Sequence, residues 1–253
     1  CYNYDGDCMF NNRIAVLFIH GFVGGNYDYA NFPNELEVRK KFDVFTFTLP
    51  GHDKIIVKNV KFEEWISSAE EQINFLLAHN YHTIYVIGHS MGGVIATHLA
   101  SKYKEIKKLV LVAPAFRYFY FKDGKINIKN IEETIKNMPE LFKKMGTETV
   151  VERIKKTPLP TMIEFTKLID THINDTQNVT CPTLIIHGTD DTVVPKESTE
   201  YAYNTIASDS ITLVNIKNVT HDCFRGERNK EIRNIITNYL LKTYTRKKEI
   251  INI

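Results

Sequence analysis

Short runs of β-branched and apolar residues alternate with longer amphipathic segments along most of the chain, and this alternation limits the fold more than any other feature. A strand covered on both faces has no solvent side for polar residues, so it reads as a nearly continuous apolar run. Ile14–Ile19, Val44–Leu49, Ile84–Ile87, Leu109–Ala113, Thr183–His187 and Ile211–Ile216 all read this way. Helical patterns lie between them. Glu63–Ala78 gathers Trp65, Ile66, Ala69, Ile73, Leu76 and Leu77 on one face. Met91–Lys102 and Ser198–Ile206 follow, and Asn229–Thr243 carries a stripe of Ile232, Ile235, Ile236, Tyr239 and Leu240. Such a β-α-β rhythm predicts an α/β fold: a mostly parallel sheet of about six or seven strands with helices on both faces.

The rhythm breaks once. From Pro114 to Cys181 no strand pattern is evident; helix-like pieces at Ile131–Met138, Glu140–Met145, Thr149–Lys155 and Thr161–His172 are punctuated by Pro139, Gly146, Pro158 and Pro160. A helical insertion between strands of a parallel sheet reads as a small cap, here over residues 115–180 of a single domain spanning 1–253. The cap is rich in large apolar residues. Most should pack it onto the core, while Phe119, Met138, Phe142, Met162 and Phe165 are candidates to line an apolar substrate pocket.

Composition excludes several functions. The formal net charge is +2 with acidic and basic residues interleaved, which argues against a nucleic-acid or anionic-membrane surface. The Lys-rich stretches at Lys102–Lys108 and Arg246–Lys248 read as solvated helix ends. No run approaches the ~20 apolar residues of a membrane span. The four cysteines, Cys1, Cys8, Cys181 and Cys223, form no CxxC pair, so a reduced, cytoplasmic setting is the simplest reading. Three Asn-x-Thr sequons, at Asn174, Asn178 and Asn218, bear on function only in a secreted protein.

Four local patterns carry chemistry. Gly88-His89-Ser90-Met91-Gly92 sits where a strand gives way to a helix, the context in which G-x-S-x-G denotes a nucleophile elbow. There a sharp turn lifts the serine above the sheet and aims the helix N-terminus at any oxyanion formed beside it. His20-Gly21-Phe22-Val23-Gly24-Gly25 follows the first strand. Its turn makes the Phe22 N–H a candidate oxyanion donor alongside that of Met91. His187-Gly188-Thr189-Asp190-Asp191 follows a later strand. Either aspartate there can orient a histidine, and spacing alone does not exclude Asp190. His221 lies in the loop before the last helix and completes the order Ser, Asp, His. Among nine histidines, that ordered set is what distinguishes it. His20 and His52 read as structural, and Cys223 lies outside any elbow. No zinc-type spacing is present, and the Gly21–Gly25 loop lacks the Lys and Ser/Thr of a phosphate loop, so no metal or cofactor is expected.

Together HGF (20–22), PGHD (50–53), GHSMGG (88–93), HGTDDTVVP (187–195) and the His221 loop resemble the α/β-hydrolase superfamily. Within it the chain is similar to small bacterial carboxylesterases and the neighbouring monoacylglycerol lipases, from about Ile14 to Leu241. The resemblance implies the acid three residues after Gly188, hence Asp191, with Phe22 and Met91 as oxyanion donors and an acyl pocket between core and cap. The expected activity is cofactor-free cleavage of a small carboxylic ester with an apolar acyl chain, through an acyl-enzyme on Ser90, by a monomer or homodimer. Monoacylglycerol lipase and acyl thioesterase activities are the alternatives, with a non-catalytic ligand-binding protein a more distant one.

Overall fold

Seven parallel strands form the spine of the protein, lying across the sheet in the order Phe42–Thr46, Ile14–Ile19, Thr83–His89, Ile106–Val112, Thr183–Gly188, Ser210–Ile216 and Lys247–Asn252. The computed structural model describes residues 13–53, 60–117, 121–122, 125–126, 157–243 and 247–253. The strands are β1 (Ile14–Ile19), β2 (Phe42–Thr46), β3 (Thr83–His89), β4 (Ile106–Val112), β7 (Thr183–Gly188), β8 (Ser210–Ile216) and β9 (Lys247–Asn252). The short β5 (Phe121–Lys122) and β6 (Lys125–Ile126) pair antiparallel with each other. Helices among the described residues are α1 (Phe32–Glu37), α2 (Phe62–Ala78), α3 (Met91–Lys102), α4 (Leu159–His172), α5 (Lys196–Thr205) and α6 (Asn229–Leu241). None of them is long and apolar enough to cross a membrane.

Residues alternate between the two faces along each strand. In β1, Ala15, Leu17 and Ile19 face one core and Val16 and Phe18 the other; in β3, Ile84 and Val86 oppose Tyr85 and Ile87. The first core is closed by Trp65, Ala69, Ile73 and Leu76 of α2, Val94, Ile95 and Leu99 of α3, and Phe165 and Leu168 of α4. The second is closed by Phe32 and Leu36 of α1 and by Ile232, Ile236, Tyr239 and Leu240 of α6. Both faces of the central strands are therefore dry, which is why their sequences read as unbroken apolar runs.

The chain runs from β1 to β2 on one side, then crosses to β3 on the other. The strand order thus reverses at β1 and β3, and the carboxyl ends of the strands at such a switch are the usual ligand position in an open α/β sheet.

Three features differ from the sequence reading: the β5–β6 pair and the settings of Lys247–Lys248 and of Lys108. A short antiparallel pair of strands, β5–β6, lies in the insertion where no strand pattern was evident; Asp-Gly at 123–124 in the sequence is a turn signal in its own right. Of the expected cap helices, Thr161–His172 is found as α4, while Ile131–Met138, Glu140–Met145 and Thr149–Lys155 lie outside the described residues. Lys247 and Lys248 belong to the edge strand β9 instead of a helix end. Lys108 is not a solvated helix end either: it is buried in β4, and its ammonium donates to the carbonyls of Leu240 and Lys242 at 2.7 Å each and of Tyr239 at 3.3 Å. Burial lowers its pKa to about 8. It thus satisfies carbonyls that the end of α6 would otherwise leave open.

Candidate active site

Ser90 lies between β3 and α3 in a left-handed backbone conformation, φ 54° and ψ −120°. A non-glycine residue there is strained, and the surrounding structure must hold it. Its N–H donates to the Val112 carbonyl at 2.9 Å, and its carbonyl accepts from Gly93 at 2.9 Å and Ala115 at 3.1 Å. The flanking glycines permit this turn by close packing. A Cβ on Gly92 would overlap the carbonyl oxygens of Ile19 and His20, and one on Gly21 would come within 3.1 Å of the Ser90 Cβ. The β1 loop therefore passes directly beside the elbow. Met91 is the first residue of α3, where N–H groups have no intrahelical acceptor.

His20 fixes that loop. Its Nδ1–H donates to the Gly21 carbonyl at 2.8 Å and its Nε2 accepts the Leu49 N–H at 3.0 Å, joining the loops after β1 and β2. His52 is buried with Nδ1 against the Pro50 carbonyl at 3.0 Å, and burial lowers its pKa to about 4. Both histidines serve the scaffold, as their sequence positions suggest. The Phe22 ring stacks on Phe165 of α4 with centroids 5.0 Å apart, so the loop bearing the candidate oxyanion donor rests on the insertion. Phe165 and Met162 are both buried. Phe119, Met138 and Phe142 lie outside the described residues.

The two aspartates after β7 have different surroundings. The Asp191 carboxylate has no exposed side-chain surface and accepts from His221 Nδ1 at 2.8 Å. Its other oxygen accepts the N–H groups of Val193 at 2.8 Å and Val194 at 2.9 Å. Asp190 is exposed, and its carboxylate meets the Thr189 hydroxyl at 2.9 Å. Burial alone would raise the Asp191 pKa, but the His221 imidazole and those two N–H groups outweigh it and hold the carboxyl below its ordinary range. For His221, burial opposes the charged form; the Asp191 carboxylate prevails and raises the imidazole above its ordinary value.

His89, the middle residue between Gly88 and Ser90, ties the elbow to the His221 loop. Its Nε2–H donates to the His221 carbonyl at 3.1 Å, and the two rings lie 4.9 Å apart. Burial drives the His89 pKa down to about 3, so this ring stays neutral. Sequence reading assigned it no role; its place within G-x-S-x-G was the available signal. Asp28 was also missed. It is buried under the β1 loop, accepts the Gly25 N–H at 3.1 Å, and is pushed up to about 6 by burial. Cys223 is buried with its thiol pKa well raised by burial, which makes a thiolate nucleophile at that position unfavourable.

A family model described as serine aminopeptidase, S33, matches residues 11–229. The chain belongs to that family of α/β hydrolases. It is 24% identical over 221 residues to a thermostable monoacylglycerol lipase of Bacillus sp. strain H-257, covering 83% of this chain and 84% of that protein. A carboxylesterase of Bacillus subtilis strain 168 is 24% identical over 203 residues, 77% of this chain and 79% of its own. Among solved structures, an esterase from Exiguobacterium antarcticum superposes with a TM-score of 0.71 at 20% identity, over 90% of this chain and 92% of that one. These similarities agree with the α/β-hydrolase resemblance carried by the motifs.

Proposed function

We propose that this hydrolase cleaves carboxylic esters through an acyl-enzyme on Ser90, with His221 as base, Asp191 as its orienting carboxylate and the Phe22 and Met91 N–H groups as oxyanion donors. One observation carries the reading: a strained serine at a helix N-terminus shares the carboxyl edge of the sheet with a partly buried Asp–His pair. Asp191 holds the proton of His221 on Nδ1, which leaves Nε2 to accept the serine proton. Ser90 then attacks the ester carbonyl, and charge collects on the carbonyl oxygen. Backbone donors fixed beforehand stabilise that charge without reorganising, each by roughly 3–4 kcal/mol. Protonated His221 gives its proton to the leaving alcohol. It next takes a proton from water, which attacks the acyl-enzyme and frees Ser90.

An ester is favoured over a peptide amide by the relatives, which are named as a lipase and an esterase. An apolar acyl chain suits a loop whose Phe22 ring stacks on Phe165 of α4. Aryl esters of increasing acyl length, run beside monoglycerides, acyl thioesters and aminoacyl amides, test this directly. Ester turnover should lead the panel, Ser90→Ala should abolish it, and a fluorophosphonate should label wild type but not the variant. Wild-type rates in Ser90→Ala would refute the mechanism, and faster turnover of aminoacyl amides would refute the ester assignment.

A further inference from the structure

Away from the elbow, three helical elements bring together a second set of donors. His98 lies on α3, His172 ends α4, and Asp175 belongs to the 3-10 turn Ile173–Asn178. His98 Nδ1 and His172 Nδ1 both point at the same carboxylate oxygen of Asp175, at 2.7 and 2.9 Å. One ligand atom from each residue lies within 4.8 Å of the other two, and all three side chains are partly buried. The imidazole rings sit 4.3 Å apart. Behind them, His98 Nε2 faces Glu70 Oε1 of α2 at 3.1 Å, and Lys102 holds that same oxygen at 2.6 Å.

We propose that His98, His172 and Asp175 form a binding site for a single divalent transition-metal ion, with zinc as its best match. Two imidazole nitrogens and one carboxylate oxygen, completed by water, are a zinc donor set. Zinc bonds of about 2.0–2.1 Å put tetrahedral ligands roughly 3.3 Å apart. The two nitrogen–oxygen distances, 2.7 and 2.9 Å, need to open by only about half an ångström to reach that spacing. Binding displaces the Nδ1 protons to solvent, because only the deprotonated nitrogen ligates. His98 then keeps its Nε2 proton and donates it to Glu70, the carboxylate–histidine–metal relay that fixes a ligating ring. An ion pair alone explains one imidazole on Asp175. It does not call for two imidazoles converging on one oxygen with a further carboxylate supporting the first. His98 and Asp175 are separated by 77 residues, so no linear spacing reveals the set.

The full chain, stripped of metal by chelator dialysis, tests this. Isothermal titration with zinc should give one equivalent per chain. A hundredfold excess over Kd should raise the melting temperature by roughly 5–10 °C. Cobalt should give a visible spectrum without a thiolate charge-transfer band. Glu70→Gln, which touches no ligand atom of the ion, should weaken zinc about 10–100-fold. His172→Ala should weaken it further, and Cys181→Ser should leave it unchanged. Should His172→Ala fail to fold, X-ray absorption at the zinc edge of wild type reads the nitrogen and oxygen ligands directly. No zinc uptake, a cobalt–thiolate band, or wild-type affinity in both Glu70→Gln and His172→Ala would overturn the proposal. The cluster would then be an ion-pair clamp between α3 and α4 only.

Discussion

Asp190 and Asp191 are adjacent and chemically identical, yet their surroundings separate them. Asp191 is enclosed by two backbone N–H groups and an imidazole, while Asp190 faces solvent beside Thr189. Asp191→Asn should therefore lower kcat by on the order of 10⁴-fold, and Asp190→Asn should leave it within a few-fold. Steady-state kinetics on one aryl ester distinguishes them. The pH dependence follows from the same contact. In the proposed mechanism His221 must be neutral to accept the serine proton, and its pKa is raised. Activity should thus fall on acidification from a midpoint above the ordinary imidazole value of about 6.5. In Asp191→Asn the residual kcat/KM should lose that acidic limb or shift it to lower pH. The glycines of the elbow are equally specific. Gly92→Ala forces a Cβ into the carbonyls of Ile19 and His20 and should cost about 1–3 kcal/mol by urea denaturation, with a loss of turnover because the Ser90 loop must move.

Helix ends and edges decided more than helix interiors. α2 begins with the Glu64 carboxylate on the Lys61 N–H at 3.0 Å, while Glu164 of α4 accepts from Phe62 N at 3.3 Å and Lys61 Nζ at 3.2 Å. α4 is thereby fastened to the first turn of α2. The end of α6 relies on Lys108, a residue from the strand beneath it. Lys108→Met keeps the stem and deletes the donor, leaving carbonyls of Leu240 and Lys242 without it. Equilibrium unfolding should show a loss of about 1–3 kcal/mol, with α6 amides exchanging faster than those of β3. A lysine in a strand next to Lys107 carries no local sign of this, because α6 comes into reach only once the sheet that holds β4 between β3 and β7 has formed. The strand β9 was missed for a related reason: Lys247-Lys248-Glu249 reads as polar, which suits an edge strand whose side chains meet water.

The whole molecule keeps several titratable groups uncharged, and this sets its response to acid. His52 and His89 have pKa values lowered by burial to about 4 and about 3. The unfolded chain binds their protons below about 6.5, so folding stability falls as pH drops through 6.5 towards those values. Asp28, raised by burial to about 6, acts oppositely between its unfolded value and 6, because the unfolded chain releases that proton first. Two histidines outweigh one aspartate. Urea midpoints should therefore fall between pH 6.5 and 4.5, and a double variant replacing His52 and His89 by neutral polar residues should flatten the slope if it folds.

Periodicity and motif together made the scaffold legible in advance. An apolar run must be doubly buried, and a G-x-S-x-G at a strand–helix junction must turn sharply, so β1 and α3 were recoverable to the residue and Ser90, Phe22 and His221 could be named. Those inferences depend on neighbours in the chain. Contacts between distant segments are of another kind. The choice of Asp191 on geometric grounds, the tie from His89 to the His221 loop, the burial of Lys108 and the convergence of His98, His172 and Asp175 each depend on where separate strands and helices come to lie. Register, crossover and helix docking set those distances, and no local pattern encodes them.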